Sequence, residues 1–217
     1  MDIEQARYFM IEQQIRPWDV LDQGVLSLLS VVRREEFVPA AQRALAFVDT
    51  QIPLGHGSFM LEPKVEARLL QNLQLARHHK VLEVGTGSGH MAALLSHRCQ
   101  QVHTLEPQPA QAKLARSNLQ RASIANVTVH EIDGSAGLPA EAPFDAILLS
   151  GSVAEVPRLL LEQLKLGGRL LAIVGAQPIM QAMRITRAGE DDYRREALFD
   201  TVAPRLAGFA EPSRFSF

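Results

Sequence analysis

The chain has 217 residues, 47% of them hydrophobic, with a formal net charge of −2. That balance excludes a disordered chain and supplies no long-range field to attract nucleic acid or an anionic membrane. No stretch reaches the roughly 18 uninterrupted apolar residues of a membrane span.

One cysteine, Cys99, leaves no internal disulfide and fits a reducing compartment, with a small buried apolar role as its ordinary use. The opening "MDIEQARYFM" has no apolar segment of leader length, which sets the expectation of a cytoplasmic protein. None of the seven histidines sits at metal-ligand spacing, so no metal is expected.

In chain order, "EQARYFMIEQQI" and "DVLDQGVLSLLSVVRREEF" carry apolar residues three and four apart and read as helices parted by Pro17, with Asp19 as N-cap of the second. "FVPAAQRALAFVDTQIPLGHGSFMLEP" has the glycine, proline and aromatic content of an irregular connection. A helix follows from Lys64 to Leu75, with Val65, Leu69, Leu70 and Leu73 on one face.

After Lys80 the texture changes. The β-rich runs "KVLEVG", "QVHTLE", "NVTVHEID", "FDAILLSG" and "GRLLAIVG" alternate with helical stretches near 89–98, 108–121 and 155–165. Such alternation implies right-handed βαβ crossovers. The fold class is therefore α/β: a Rossmann-like, doubly wound, mostly parallel sheet with a helical N-terminal cap. "MRITRAG" and "EALFDTV" add a terminal hairpin at one edge. One domain is expected over 1–217, with cap and acceptor segment in 1–76 and cofactor-binding core in 77–217.

The first strand runs into "GTGSG", residues Gly85, Thr86, Gly87, Ser88 and Gly89. A dinucleotide fingerprint places its third glycine one residue later, at the position of His90. Glu83 stands two residues before the turn, a poor neighbour for pyrophosphate and a good one for a cation. S-adenosylmethionine carries a sulfonium and an ammonium and no phosphate, so it is the expected cofactor, ahead of a nicotinamide. Glu106 ends the second strand, where it can accept both ribose hydroxyls. Asp133, beside Gly134, ends the third, where it can accept from the adenine amino group.

The ordered set "VVRREEFVP", "FVDTQIPLGHG", "VLEVGTGSGH", "DGSAGLP" with "APFDAIL", and "VPRLLLEQLKLGGRLLAIVG" resembles the protein-L-isoaspartate O-methyltransferases from Ile11 to Gly175. The resemblance implies methyl transfer to the carboxylate of isoaspartyl residues in damaged proteins, with a protein or peptide (or small-molecule) acceptor. It also puts Gly85, Gly87, Glu106 and Asp133 on cofactor positions.

The chain departs from the family's acceptor segment Gln-Thr-Ile-Ser-Gln-Pro, reading Ser58, Phe59, Met60, Leu61, Glu62, Pro63. Two lost hydroxyls cost on the order of 3–6 kcal/mol if nothing replaces them. Glu62 would add repulsion if it entered the cleft. Ser58, Ser150 and Ser152 are the candidate replacements. Two alternatives stay open on the residues: a methyltransferase of this fold acting on a different acceptor, and a non-catalytic cofactor-binding module.

Overall fold

A computed structural model describes residues 2–211. The chain opens with α1 (Ile3–Phe9), which widens without a break into a π-type stretch, Met10–Ile15. A tight turn, Arg16–Trp18, leads to α2 (Gln23–Val31). Asp19 does not cap α2, because the chain leaves the turn through a left-handed residue there, φ 59°. The cap is Asp22, whose side chain accepts from the Val25 N–H at 3.0 Å.

The segment read as an irregular connection contains a hairpin, β1 (Ile52–Gly55) and β2 (Ser58–Met60), turned at His56 and Gly57. Both turn residues adopt positive φ, 51° and 77°, which a short reversal needs. α3 (Pro63–Leu73) follows with proline at its first position, where no N–H is missed.

The remaining elements alternate: β3 (Lys80–Val84), α4 (His90–Ser96), β4 (Gln101–Leu105), α5 (Pro109–Arg121), β5 (Val127–His130), β6 (Phe144–Val153), α6 (Arg158–Glu162), β7 (Leu164–Ala176), β8 (Ile179–Arg187) and β9 (Tyr193–Asp200). The helix expected over 155–165 shrinks to α6. Pro157 delays its start, and β7 begins at Leu164.

One seven-stranded sheet runs in the order β5-β4-β3-β6-β7-β8-β9. Strands β3 to β7 pair in parallel, and β8 and β9 form the expected antiparallel edge hairpin. The central strands are apolar on both faces because helices cover both, as Leu82, Ile147, Leu148, Leu170 and Leu171 show by their complete burial. Between β3 and β6 the order of connection reverses. The carboxyl ends of strands at such a reversal open a crevice, where ligands of open α/β sheets bind.

The N-terminal helices share a core with one face of this sheet: Met10, Ile15, Val25 and Leu29 pack in one cluster with Leu69, Leu94 and Leu171. Inside that cluster lies a buried charged pin. Arg34 pairs with Glu66 and donates to the Leu61 carbonyl at 2.7 Å, and His90 Nδ1 lies 3.0 Å from the same Glu66 carboxylate. Burial acts to raise the Glu66 pKa, yet the Arg34 charge and His90 outweigh it and hold the carboxyl below its ordinary range.

Removing one partner of such a pair strands a buried charge. Arg34→Met should therefore cost about 3–5 kcal/mol in urea unfolding, and adding Glu66→Met should recover much of it. A single variant with the wild-type midpoint would show that the pin carries no load.

Candidate functional site

The crevice is an open cleft over the ends of β3, β4 and β6. Its floor is the glycine turn. Gly85, Gly87 and Gly89 have φ of 95°, 52° and 84°, values that side chains beyond Cβ-free glycine rarely adopt. The turn is tied to β4: the Gly85 and Thr86 N–H groups donate to the Leu105 carbonyl at 2.9 and 3.3 Å. The Gly87 N–H donates to Glu106 Oε2 at 2.9 Å, and the Gly89 N–H to the Thr86 carbonyl at 2.9 Å. These four donors are committed within the protein. A pyrophosphate needs such donors free, so the turn is no phosphate cradle.

The glycines serve different neighbours. A Cβ at Gly87 would meet only Leu54 Cδ1, at 3.2 Å, and this residue borders the cleft. A Cβ at Gly89 would press on Ala115 of α5 at 3.3–3.4 Å. Gly89 thus serves the packing of α4 on α5 and does not line the cleft.

The acids also divide. Glu106 is nearly buried and lines the cleft, its two oxygens oriented by the N–H groups of Gly87 (2.9 Å) and Gln108 (3.1 Å). Each oxygen keeps a lone pair for a ligand hydroxyl. Glu83 is fully buried and accepts from Thr104 Oγ1 and Ser150 Oγ, both at 2.7 Å. Burial pushes its pKa up to about 8 against those two hydrogen bonds, with Glu66 and Glu106 adding to the rise. It lines a smaller cavity adjoining the cleft, shared with Glu66, Thr86, Ser88 and Met91.

Asp133 is exposed and does not line the cleft. It caps its own Asp-Gly-Ser turn through the Ser135 N–H at 2.7 Å, and Gly208 packs against its carboxylate. Gly134 takes its place at the cleft wall. The adenine role expected of Asp133 has no support in this geometry.

The hairpin end forms the opposite wall. Ser58, Phe59 and Leu61 line the cleft; Phe59 is 41% exposed there, and Leu61 is buried with its carbonyl on Arg34. Glu62 turns away, accepting from Gln51 Nε2 at 3.1 Å, so it adds no charge to the cleft. Ser150 lines the cleft while donating to Glu83. Ser152 does not: it is fully buried and donates to the Ala203 carbonyl at 2.8 Å. No group of three or more His, Cys, Asp or Glu among the described residues is placed to hold a metal ion, and no helix there is long and apolar enough to cross a membrane.

Two parts of the site escape sequence reasoning. Residues Pro204–Ala207 form a wall, running parallel to the end of β6 through Ser152 N–H to the Pro204 carbonyl (2.7 Å) and Leu206 N–H to the Ser152 carbonyl (2.9 Å). Four non-repetitive residues after the last strand carry no periodic signal. Glu66 did leave one, since it stands in the apolar stripe with Leu69, Leu70 and Leu73.

Taken together, the residues fit S-adenosylmethionine. Glu106 can hold a ribose, Gly87 and Gly134 admit close approach, and the protonated Glu83 awaits a cation.

Comparison with known proteins agrees with this reading. The family profile for protein-L-isoaspartate(D-aspartate) O-methyltransferase (PCMT) matches residues 6–202. The protein-L-isoaspartate O-methyltransferase 2 of Pelobacter propionicus is 40% identical over 196 residues, 90% of this chain and 87% of that one. The Roseiflexus castenholzii protein-L-isoaspartate O-methyltransferase is 41% identical over 211 residues, 97% and 96% of the two chains. A crystal structure assigned to the Plasmodium falciparum PCMT, in complex with S-adenosyl-L-homocysteine, superposes with a TM-score of 0.80 at 19% identity, covering 95% and 98%. At that identity the likeness concerns the fold.

Gly87→Ala should cost only about the 1–2 kcal/mol its φ imposes on an alanine, a few degrees of melting temperature, while weakening S-adenosylmethionine binding at least about tenfold because the added Cβ stands at the cleft floor. Gly89→Ala should show the opposite balance, losing stability more than affinity. Calorimetry and thermal melts on both variants separate the two roles, and equal behaviour would refute them.

Glu83 gives a pH dependence. Its folded-state value lies above the ordinary one of 4.5, so its contribution to stability is greatest at low pH and is lost as pH rises toward about 8. A cation in the cavity favours the ionised form. Binding near pH 7 should therefore release close to one proton, with affinity rising with pH and levelling above about 8. Calorimetry in buffers of different ionisation enthalpy measures this, and Glu83→Gln should abolish the release.

Proposed function

The chain belongs to the protein-L-isoaspartate(D-aspartate) O-methyltransferase family, and we propose that it transfers a methyl group from S-adenosylmethionine to the carboxylate of isoaspartyl residues in proteins or peptides. The observation that carries the cofactor is the glycine turn. Its four committed N–H donors disfavour a phosphate, while Glu106 beside it keeps lone pairs for a ribose. When bound, S-adenosylmethionine supplies an electrophilic methyl on a sulfonium.

The protein's own part is orientation. Glu106, fixed by Gly87 and Gln108, holds the ribose end. Gly85 and Gly87 keep the floor low. The hairpin end, held down by Arg34 through the Leu61 carbonyl, presents Ser58 and Phe59 across the cleft. A carboxylate acceptor is ionised at neutral pH and needs no general base. Alignment alone can supply roughly 7–11 kcal/mol. Ser58 offers the hairpin wall a hydroxyl where Phe59 and Leu61 do not.

A labelled-methyl assay should show transfer to a synthetic isoaspartyl peptide and none to its aspartyl twin. Phe59→Thr should raise that rate about 10- to 100-fold, one hydroxyl's worth on a charged group. Glu62→Gln should change it less than about twofold, because the side chain lies outside the cleft. Equal transfer to both peptides would defeat the isoaspartyl assignment and favour another acceptor.

A further inference from the structure

Resting on the isoaspartyl reading, we propose that Arg205 is the residue that binds the acceptor's carboxylate, and that Glu211 occupies the same guanidinium until substrate displaces it. The loss of two family hydroxyls leaves the hairpin wall with little to pair a negative charge. The rest of the cleft is worse for an anion: Glu106 borders it, and Glu83 and Glu66 line the adjoining cavity. Among the described lining residues, Arg205 is the one permanently charged cation.

Its position suits the task. Arg205 bridges alongside Ser152 at the end of β6, two residues past Ser150, on the wall where the cleft floor meets the C-terminal segment. One guanidinium nitrogen lies 3.4 Å from Ser152 Oγ, which steadies the side chain at its buried edge. The outer edge holds a carboxylate already: Arg205 Nε to Glu211 Oε1 is 2.8 Å, with side chains 29% and 56% exposed.

That pair shows both halves of the inference. Arg205 holds Glu211 through Nε alone, and as a residue that lines the cleft it carries a planar guanidinium whose fork can match a second carboxylate. An exposed ion pair six residues apart in sequence is weakly held, so an incoming carboxylate can exchange with Glu211 at small cost. Glu211 stands in for the acceptor until substrate arrives. The backbone bridge to Ser152 does not involve the Arg205 side chain, so a substitution there leaves the wall's hydrogen bonds in place.

The test is steady-state kinetics on an isoaspartyl peptide at saturating S-adenosylmethionine, with S-adenosylhomocysteine affinity measured by calorimetry for each variant. Arg205→Gln should raise the peptide KM about 10- to 100-fold, with affinity for S-adenosylhomocysteine within about twofold of wild type. Arg205→Lys, which keeps the charge and loses the fork, should fall between, and it carries the test if the glutamine variant folds poorly. Glu211→Gln should lower the KM by a few-fold. Rising ionic strength should raise the wild-type KM and leave that of Arg205→Gln nearly flat.

An Arg205→Gln enzyme with wild-type KM, or one whose main loss is in S-adenosylhomocysteine affinity, overturns the inference while the isoaspartyl reading stands. A wild type that does not methylate the isoaspartyl peptide overturns the reading, and this inference with it.

Discussion

The site depends on the end of β4. Leu105 and Glu106 together accept three N–H groups from the turn that follows β3, so the neighbouring strand holds the turn in shape before any ligand arrives. This fixes the chemistry twice over. The turn cannot offer those donors to a phosphate, and Glu106 is held in place with a lone pair left on each oxygen. A bare count of glycines cannot distinguish this from a dinucleotide loop. The destination of the N–H groups can, because a buried backbone donor must go somewhere.

Two buried carboxylates near that turn have opposite fates. Glu66 sits against Arg34 and His90 and stays ionised; its task is to hold α3, the hairpin end and the turn after α2 together. Glu83, about as deeply buried, has only hydroxyl partners, so desolvation prevails and the carboxyl keeps its proton. The same residue type is a structural ion in one place and a hydroxyl-bonded, neutral carboxyl in the other. The difference lies wholly in whether a fixed positive charge is within reach.

Much of this was legible in the sequence, for reasons that also mark the limits. The alternation after Lys80 reports burial on both sheet faces, so the parallel strands and the edge hairpin stand where periodicity puts them. Glu106 and Gly87 line the cleft, as a strand end and a glycine turn lead one to expect. Glu62, Ser152, Asp133 and Gly89 do not. In each, the residue type suits a cleft, but a local partner claims it: Gln51, the Ala203 carbonyl, the Ser135 N–H and Ala115. Side-chain direction at a turn is a tertiary fact. Asp19 and Asp22 make the same point, since two acids three apart are equal candidates for a cap until the left-handed turn at Asp19 excludes one.

The acceptor side shows how a site can change its residues without changing its task. Displacement at a sulfonium methyl by an ionised carboxylate requires no proton transfer, so no side chain in the cleft is bound to one chemical identity as a catalytic base would be. What must be kept is a wall at the right height and some partner for the negative charge. The first is set here by the Arg34 bond to Leu61, a backbone contact that survives any side chain at 59 or 61. The second can come from whichever element reaches the cleft, and the C-terminal segment reaches it. If Arg205 supplies that partner as proposed, the hairpin hydroxyls can be replaced without loss of the task, whereas a backbone angle such as that of Gly87 or a pair of acceptors such as those of Glu106 has no side chain elsewhere in the cleft to take it over.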